Sequence, residues 1–444
     1  FMGLPNSLDF CISLYGILWA GATAVLVNQR WTQYEVENAW ALVEPKLVVG
    51  EKKNPSMNNS KWATYETPDL LKMSSAPMKA RGTSDEGVLN SPAVFLLTSG
   101  TTGKPKAVML TQSAIFSNAS QLAKRKELTP KDRFLCSVPL FHSNGQVAAL
   151  QSMLVAGSSL VMMDRFTPES LLQGVQKYKA TAITGVPTLY QYLVNYHANN
   201  PVDLSTLRIC SCGSAPMPVS LFEEVESKFG AFILEGYGLT ETSAGLCGNR
   251  ISKRKIGTVG PALDGTDLII VDDFDKQVKA GETGEILARG PQLMTGYFRD
   301  EAGTQSAFAP GGYVRTGDIG SLDEDGYVTI KSRKKELIIR GGFNIYPVEV
   351  ENVLRSIDGV LDVAVVGLPD PLHGETVHAA LITDLKEEDL TPLLKRFSEE
   401  RLARYKRPTT FSLHKDFPRT ASAKVQRTFL QTQLTGEPEK IRSL

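Results

Sequence analysis

Ten residues constrain this chain more than any others: Leu97-Thr98-Ser99-Gly100-Thr101-Thr102-Gly103-Lys104-Pro105-Lys106. Apolar runs flank them, Val94 to Leu97 before and Ala107 to Leu110 after, and both read as buried strands. The fold must therefore present this loop between two strands. Gly100 and Gly103 let the backbone turn sharply and approach a ligand. The hydroxyls of Thr98, Ser99, Thr101 and Thr102 and the exposed N–H groups donate hydrogen bonds, and Lys104 and Lys106 add positive charge. A polyphosphate would use all of these. The loop is not a Walker A motif, because only two residues separate Gly100 from Gly103 and Pro105 follows Lys104. Its strand–loop–strand context also removes a helix dipole as the obvious anchor. In isolation the string suits a solvated surface loop equally well.

The rest of the chain alternates helix and strand. A helical apolar pattern from Phe10 runs into a strand at Ala22–Val27. A helix near Gln33–Val43 leads to a strand at Lys46–Val49. Helices at Pro168–Tyr178 and Val219–Phe229 precede strands at Ala182–Val186 and Ala231–Leu234. This alternation predicts layered α/β subdomains. From Gly260 to Ile330 the texture changes to short strands, Asp267–Val271, Gly284–Ala288 and Tyr327–Lys331, divided by Gly and Asp turns, which predicts a small barrel-like β subdomain. The basic segment Arg333-Lys334-Lys335 is read as the boundary. The expected division is a large domain over 1–332, a hinge at 333–335 and a small, mobile α+β domain over 336–444.

With 48 basic and 48 acidic residues in 444, the net charge is zero. Nothing in that balance indicates a nucleic-acid partner or an anionic-membrane surface. No apolar run reaches the ~18 residues of a membrane span. The longest, Ala148 to Met163, is broken by Gln151, Ser152, Ser158 and Ser159. No signal-peptide pattern or peroxisomal C-terminus is present, so a cytoplasmic location is expected. The five cysteines fit a reducing compartment. Cys210 and Cys212 have no matching His/Cys cluster and read as small buried residues.

Five further motifs carry chemistry. In Glu235-Gly236-Tyr237-Gly238-Leu239-Thr240-Glu241-Thr242, glycines flank a ring on which a planar base could stack. A carboxylate beside phosphates calls for an oxygen-ligated cation such as Mg²⁺. Without that context it is a glycine turn after a strand. In Tyr313-Val314-Arg315-Thr316-Gly317-Asp318, an Asp can accept from two adjacent hydroxyls and so read a ribose, or simply end a strand. Pro139-Leu140-Phe141-His142-Ser143-Asn144-Gly145 sets a His beside an aromatic ring, an arrangement that is often structural. The segment Lys335 to Pro347, with Gly341-Gly342, reads as a basic linker and hairpin. Pro418-Arg419-Thr420-Ala421-Ser422-Ala423-Lys424-Val425 is a lysine-bearing loop.

Taken in order, these motifs resemble the adenylate-forming enzymes: acyl-CoA synthetases, aryl-CoA ligases, luciferases and peptide-synthetase adenylation domains. The resemblance covers nearly the whole chain. It implies that the Thr98–Lys106 loop holds the ATP phosphates, that Tyr237 and Gly238 meet the adenine, that Thr240 contacts the α-phosphate and that Glu241 binds Mg²⁺. Gly213, Ser214 and Ala215 join the nucleotide site, and Asp318 and Arg333 reach the ribose. Lys424 is implied as the catalytic lysine and Lys335 as the hinge. Gly341 and Gly342 would border the passage for CoA. His142 would sit beside an acyl pocket walled by Val186, Gly213, Gly236, Gly238 and Gly245. Phe141-His142 stands where amino-acid-activating relatives carry an anion for the substrate ammonium, so a plain hydrophobic carboxylic acid, a fatty acid above all, is expected. An acyl-carrier protein acting in trans is the alternative acceptor to CoA, and a monomer or homodimer is expected. Ala107 and Ala423 replace glycines usual in the family. Phe1 to Ser7 resembles a point inside the first domain, so an N-terminal segment is expected to be missing, and Glu51 to Asn90 reads as shorter than usual.

Overall fold

The computed structural model describes residues 1–52, 54, 57, 64–68, 86–99, 105–164, 166–213, 217–419 and 424–444. Gly100, Thr101, Thr102, Gly103, Lys104, Ser214 and Ala215 lie outside the described residues, as does the side chain of Ser99.

Helices form where periodicity and capping agree. The Gln33–Val43 helix opens on a capping box between Thr32 and Glu35 and buries Val36, Ala39, Trp40 and Val43, the i, i+3, i+4, i+7 stripe. The Pro168–Tyr178 helix has Thr167 as its cap and Pro at the first position. The Val219–Phe229 helix ends on Gly230 in the left-handed conformation.

The chain divides into two compact units. The first comprises Phe1–Ile269, Leu287–Thr316 and Gly326–Val328; the second comprises Ile270–Ile286, Gly317–Asp325 and Thr329–Leu444. The first holds a seven-stranded sheet in the order Gly296–Tyr297, Pro105–Thr111, Pro92–Ser99, Ala24–Leu26, Met2–Gly3, Val48–Gly50 and Thr64–Tyr65. It also holds a six-stranded sheet in the order Cys247–Gly248, Phe232–Tyr237, Ile209–Cys212, Ala182–Gly185, Arg133–Cys136 and Ser159–Met162. Its five last-named strands run parallel. As βαβ connections require, helices cover it, and Cys210 and Cys212 sit in that apolar layer with Leu193, Phe222 and Val225.

The short strands read from Gly260 onward fall in a third sheet that includes Asp267–Val271, Thr283–Arg289 and Tyr313–Leu322. The second unit is built on the long antiparallel pair Val360–Asp370 and Gly374–Thr383. Helices Pro347–Arg355 and Glu387–Arg401 supply Val350, Leu354, Leu390 and Leu394 to its core. The architecture is thus mixed α/β, with a large first body and a smaller α+β one. No helix among the described residues is long and apolar enough to cross a membrane.

Candidate active site

Strands Pro92–Ser99 and Pro105–Thr111 pair antiparallel, with Thr98 opposite Lys106 and Ser99 opposite Pro105. The two ends of the signature loop therefore emerge side by side, as the flanking apolar runs predict. Ala107 lies in the second strand and is buried. Its φ is not positive, so a Cβ is accommodated where the resemblance calls for Gly.

The Phe232–Tyr237 strand leads into a single 3₁₀ turn, Thr240–Thr242, that carries Thr240 and Glu241. Gly238 has no substitute here: a Cβ on it would lie 2.1 Å from the Ala244 carbonyl oxygen. Gly245 is held by Asn118, which donates to its carbonyl and accepts from its N–H, both at 2.9 Å. A short segment then joins this turn to the loop-bearing hairpin. Met294 N–H donates to the Glu241 carbonyl at 2.8 Å, Thr295 to Met109 at 3.0 Å and Phe298 to Ala107 at 2.9 Å. Between them Tyr297 pairs with Val108, and its hydroxyl donates to Glu241 Oε1 at 2.9 Å.

Register places the proposed pocket wall. Cys212 pairs with Gly185 on one side and Glu235 on the other. The next residues, Val186, Gly213 and Gly236, therefore share the carboxyl edge of the parallel strands, where open α/β sheets bind ligands. A Cβ on Gly213 would lie 3.4 Å from the Gly236 carbonyl oxygen, so the two backbones are neighbours. Beside them Glu235 is buried, and desolvation pushes its carboxyl up to about 7 although Met217 N–H donates to it at 3.2 Å.

His142 is half-buried with its ring 4.5 Å from that of Phe141. Asn6 fixes the turn that carries it, accepting from Leu140 N–H at 2.8 Å and donating to Val138 and Met163 carbonyls at 3.0 Å each. A Cβ on Gly145 would lie 2.2 Å from the Pro139 carbonyl oxygen, so only glycine lets the following helix close onto that turn.

In the second unit Arg333 Nε lies 2.9 Å from Asp318 Oδ1, which brings the two residues assigned to the ribose into contact. Asp318 is almost wholly buried, at 3% exposure. Lys335 is exposed in the short turn Lys334–Glu336, while its neighbours are anchored: Lys334 to Glu285 at 3.1 Å and Glu336 to Arg427 at 3.2 Å. Gly341 and Gly342 have φ of 56° and 84° and form the two-residue turn of the hairpin that pairs Arg340 with Phe343. Positive φ at both positions of such a turn favours glycine there whatever ligand is bound.

Lys424 is exposed, and the described residues around it are tied by the Arg419–Val425 bridge and by Gln426 donating to Pro418 and Arg419 carbonyls, both at 2.8 Å. Arg419 pairs with Asp362 at 2.6 Å. Just beyond, Arg427 forks onto Glu351 at 2.8 and 3.0 Å, and Glu351 is only 3% exposed.

Asn6, Asn118, Tyr297 and Arg427 escaped the sequence reading. Each acts across a large separation, and no local spacing announces such a bridge. The one usable signal was Tyr297, an aromatic with a polar tip directly after the glycine of a strand.

The model of the AMP-binding enzyme family matches residues 2–298, and that of the AMP-binding enzyme C-terminal domain matches residues 349–424. A sulfoacetate–CoA ligase of Cupriavidus necator is 37% identical over 76% of this chain and 66% of its own length. A long-chain-fatty-acid–CoA ligase of Bacillus subtilis is 32% identical over 96% of this chain and 83% of its own. Among solved structures, ATP-bound MatB from Rhodopseudomonas palustris superposes with a TM-score of 0.87 at 29% identity, covering 98% of this chain and 88% of that one. The o-succinylbenzoate CoA synthetase (MenE) of Bacillus subtilis, in complex with ATP and magnesium ion, gives 0.84 at 29% identity over 97% and 88%. The chain belongs to the AMP-binding enzyme family, the adenylate-forming enzymes, and falls among its acid–CoA ligases.

Proposed function

We propose that this protein activates a hydrophobic carboxylic acid with ATP, releasing pyrophosphate, and passes the acyl group from the adenylate to CoA, releasing AMP. A carboxylate resists a thiol because its oxide is a poor leaving group, and AMP is a good one. Making the adenylate brings two anions together, the carboxylate and the α-phosphate. The protein must therefore offer positive charge where the transition state gathers negative charge.

The observation that carries the reading is the joining of the loop-bearing hairpin to the Glu241 turn through residues 294–298. A polyphosphate held by Thr98, Lys106 and the intervening loop would have its α-phosphate near Thr240 and Glu241. Glu241 suits Mg²⁺: one carboxylate oxygen takes the Tyr297 hydroxyl, and the other remains a hard oxygen donor. Mg²⁺ keeps waters and phosphate oxygens as ligands, so a single protein carboxylate is a sufficient tether. When bound, it would neutralise phosphate charge. Tyr237 stacks the adenine, Asp318 and Arg333 take the ribose, and Lys424 supplies charge to the adenylation step. The boundary at 333–335 is proposed as the point about which residues 336–444 reorient between steps, so that the Gly341-Gly342 face attends the thiol.

The acid is proposed to be hydrophobic because Phe141-His142 offers no countercharge of the kind an ammonium needs. The test is acid-dependent pyrophosphate–ATP exchange over fatty acids, aryl acids, α-amino acids and sulfoacetate. Exchange with fatty or aryl acids and none with α-amino acids is the expected result. Preference for an amino acid over its deamino analogue, or for sulfoacetate over every apolar acid, would overturn the substrate reading. Competition between free CoA and a carrier protein for the adenylate decides the acceptor.

A further inference from the structure

Four side chains of the first unit are linked by successive contacts, Asp300 to Lys106, Lys106 to Tyr297 and Tyr297 to Glu241. Lys106 Nζ is 3.3 Å from Asp300 Oδ2 and 4.3 Å from the centroid of the Tyr297 ring. The Tyr297 hydroxyl donates to Glu241 Oε1. Tyr297 is itself fixed, because its main chain pairs with Val108 and its N–H donates to Thr304 Oγ1 at 2.9 Å. Gly296, with φ of 144°, lets Thr304 close in, since a Cβ there would meet Thr304 Cγ2 at 2.7 Å. Asp300 divides its carboxylate: Oδ1 caps the Glu301–Ala307 helix through Gly303 N–H at 2.8 Å, and Oδ2 faces Lys106.

We propose that Tyr297 is a positioning residue for adenylation, its hydroxyl orienting the Glu241 carboxylate and its ring seating the Lys106 ammonium. The arrangement answers a physical problem. A lysine and a glutamate serving one polyphosphate would pair with each other before it arrived, and the glutamate would then not be left for a cation. Here Asp300 and the ring face hold the ammonium, and the phenol stands between it and Glu241. A phenol in contact with a carboxylate donates its O–H to it, and the Tyr297 hydroxyl does so at 2.9 Å. One oxygen of Glu241 is thereby fixed and the other remains for a cation. This inference rests on the proposed metal-binding role of Glu241.

Tyr297→Phe removes the hydroxyl and leaves the ring under Lys106. Two measurements are made: Mn²⁺ binding by electron paramagnetic resonance with a non-hydrolysable ATP analogue, and the Mg²⁺ dependence of acid-dependent exchange. Both half-saturation concentrations should rise about tenfold, the scale of one hydrogen bond to a charged group. The rate at saturating metal should fall less than about threefold, the split that marks lost positioning rather than lost chemistry. Tyr297→Leu, which also unseats Lys106, should raise KM for ATP as well. Unchanged metal half-saturation in Tyr297→Phe overturns the proposal. So does a loss shared by both half-reactions with a lowered Tm, which would mark a packing role. Glu241→Ala separates the two layers. If it alters metal dependence and Tyr297→Phe does not, only this inference falls. If it leaves metal dependence unchanged, the assignment of Glu241 fails and the inference with it.

Discussion

The two units hold the residues of the proposed site by different means. In the first, the groups are set by backbone: strand register aligns Val186, Gly213 and Gly236, and close carbonyl approach admits only glycine at 238 and 145. In the second, the exposed Lys424 stands between two braced arginines, Arg419 on Asp362 and Arg427 on Glu351 and Glu336. Register is cheap to specify and hard to lose one residue at a time. An ion-pair brace is concentrated in a few side chains, and removing one partner leaves a buried charge exposed to its full desolvation penalty.

The largest expected effect follows from that contrast. Arg427→Met leaves Glu351, at 3% exposure, without its guanidinium partner. Breaking a buried pair in this way costs roughly 3–5 kcal/mol. Hydrogen exchange should show the loss in strands Val360–Asp370 and Gly374–Thr383, with protection of Ile209–Cys212 retained. Equal loss in both places would break the comparison.

Acid and alkali should also act on the units in opposite directions. His378 is fully buried in the second unit, between Thr410 Oγ1 at 2.9 Å and Ser412 Oγ at 2.8 Å, and burial then His414 push its pKa down to about 4. Folding favours the neutral ring. Its stabilisation is present above the unfolded value of ~6.5 and is lost as pH falls toward 4, about 3 kcal/mol in all. Glu235, in the first unit, is pushed up to about 7 by burial, so folding favours its protonated form. That stabilisation is present below the unfolded value near 4.3 and is lost as pH rises toward 7, roughly 3–4 kcal/mol. Asp132, held down to about 2 in its pairing with Arg208, acts only below this window. Exchange protection followed from pH 4.5 to 7 should rise in the Gly374–Thr383 strand and fall in the Phe232–Tyr237 strand. Glu235→Gln should flatten the second trend alone. Parallel trends in both strands would show that unfolding does not distinguish the units.

Chemically, the exposed lysine should be the most sensitive single atom group in the second unit. Lys424→Ala should slow adenylate formation by at least ~10²-fold, the scale of one lost transition-state donor. Thioester formation from supplied acyl adenylate should survive. Equal loss of both half-reactions would remove Lys424 from the role assigned to it.

What could be read in the sequence divides along the same line. The helices at 33–43, 168–178 and 219–229 coincide with their apolar stripes because caps and stripe agree. The residues at the motif positions Thr98, Lys106, Glu241, Asp318 and Lys424 stand out because each lies in a short motif that resembles the family's. Register-built parts inherit that legibility, since strand ends are set by local patterns. The braces do not. Tyr297 reaches Glu241 across 56 residues and Arg427 reaches Glu336 across 91, and neither partner's neighbourhood carries a period that names the other. At Gly341-Gly342 the hairpin turn favours glycine as well, so the residue type alone does not separate turn from ligand.

The smallest effect concerns the exposed residue between two anchors. Lys334 is tied to Glu285 and Glu336 to Arg427, so a reorientation of the chain beyond 336 concentrates its backbone change at Lys335. Hinges absorb such changes at one or two residues. Proline fixes φ near −65° and restricts the residue before it. Lys335 already lies in a 3₁₀ turn, whose φ proline can adopt, so Lys335→Pro is compatible with the present conformation and opposes leaving it. It should therefore slow one half-reaction more than the other, by about tenfold if ~1.4 kcal/mol of strain enters the disfavoured orientation. Adenylate formation in a single turnover, measured beside CoA-dependent consumption of the adenylate, separates the two. Adenylation should be the half-reaction spared. Wild-type rates in both would move the pivot elsewhere, and loss of adenylation alone would contradict the expected order.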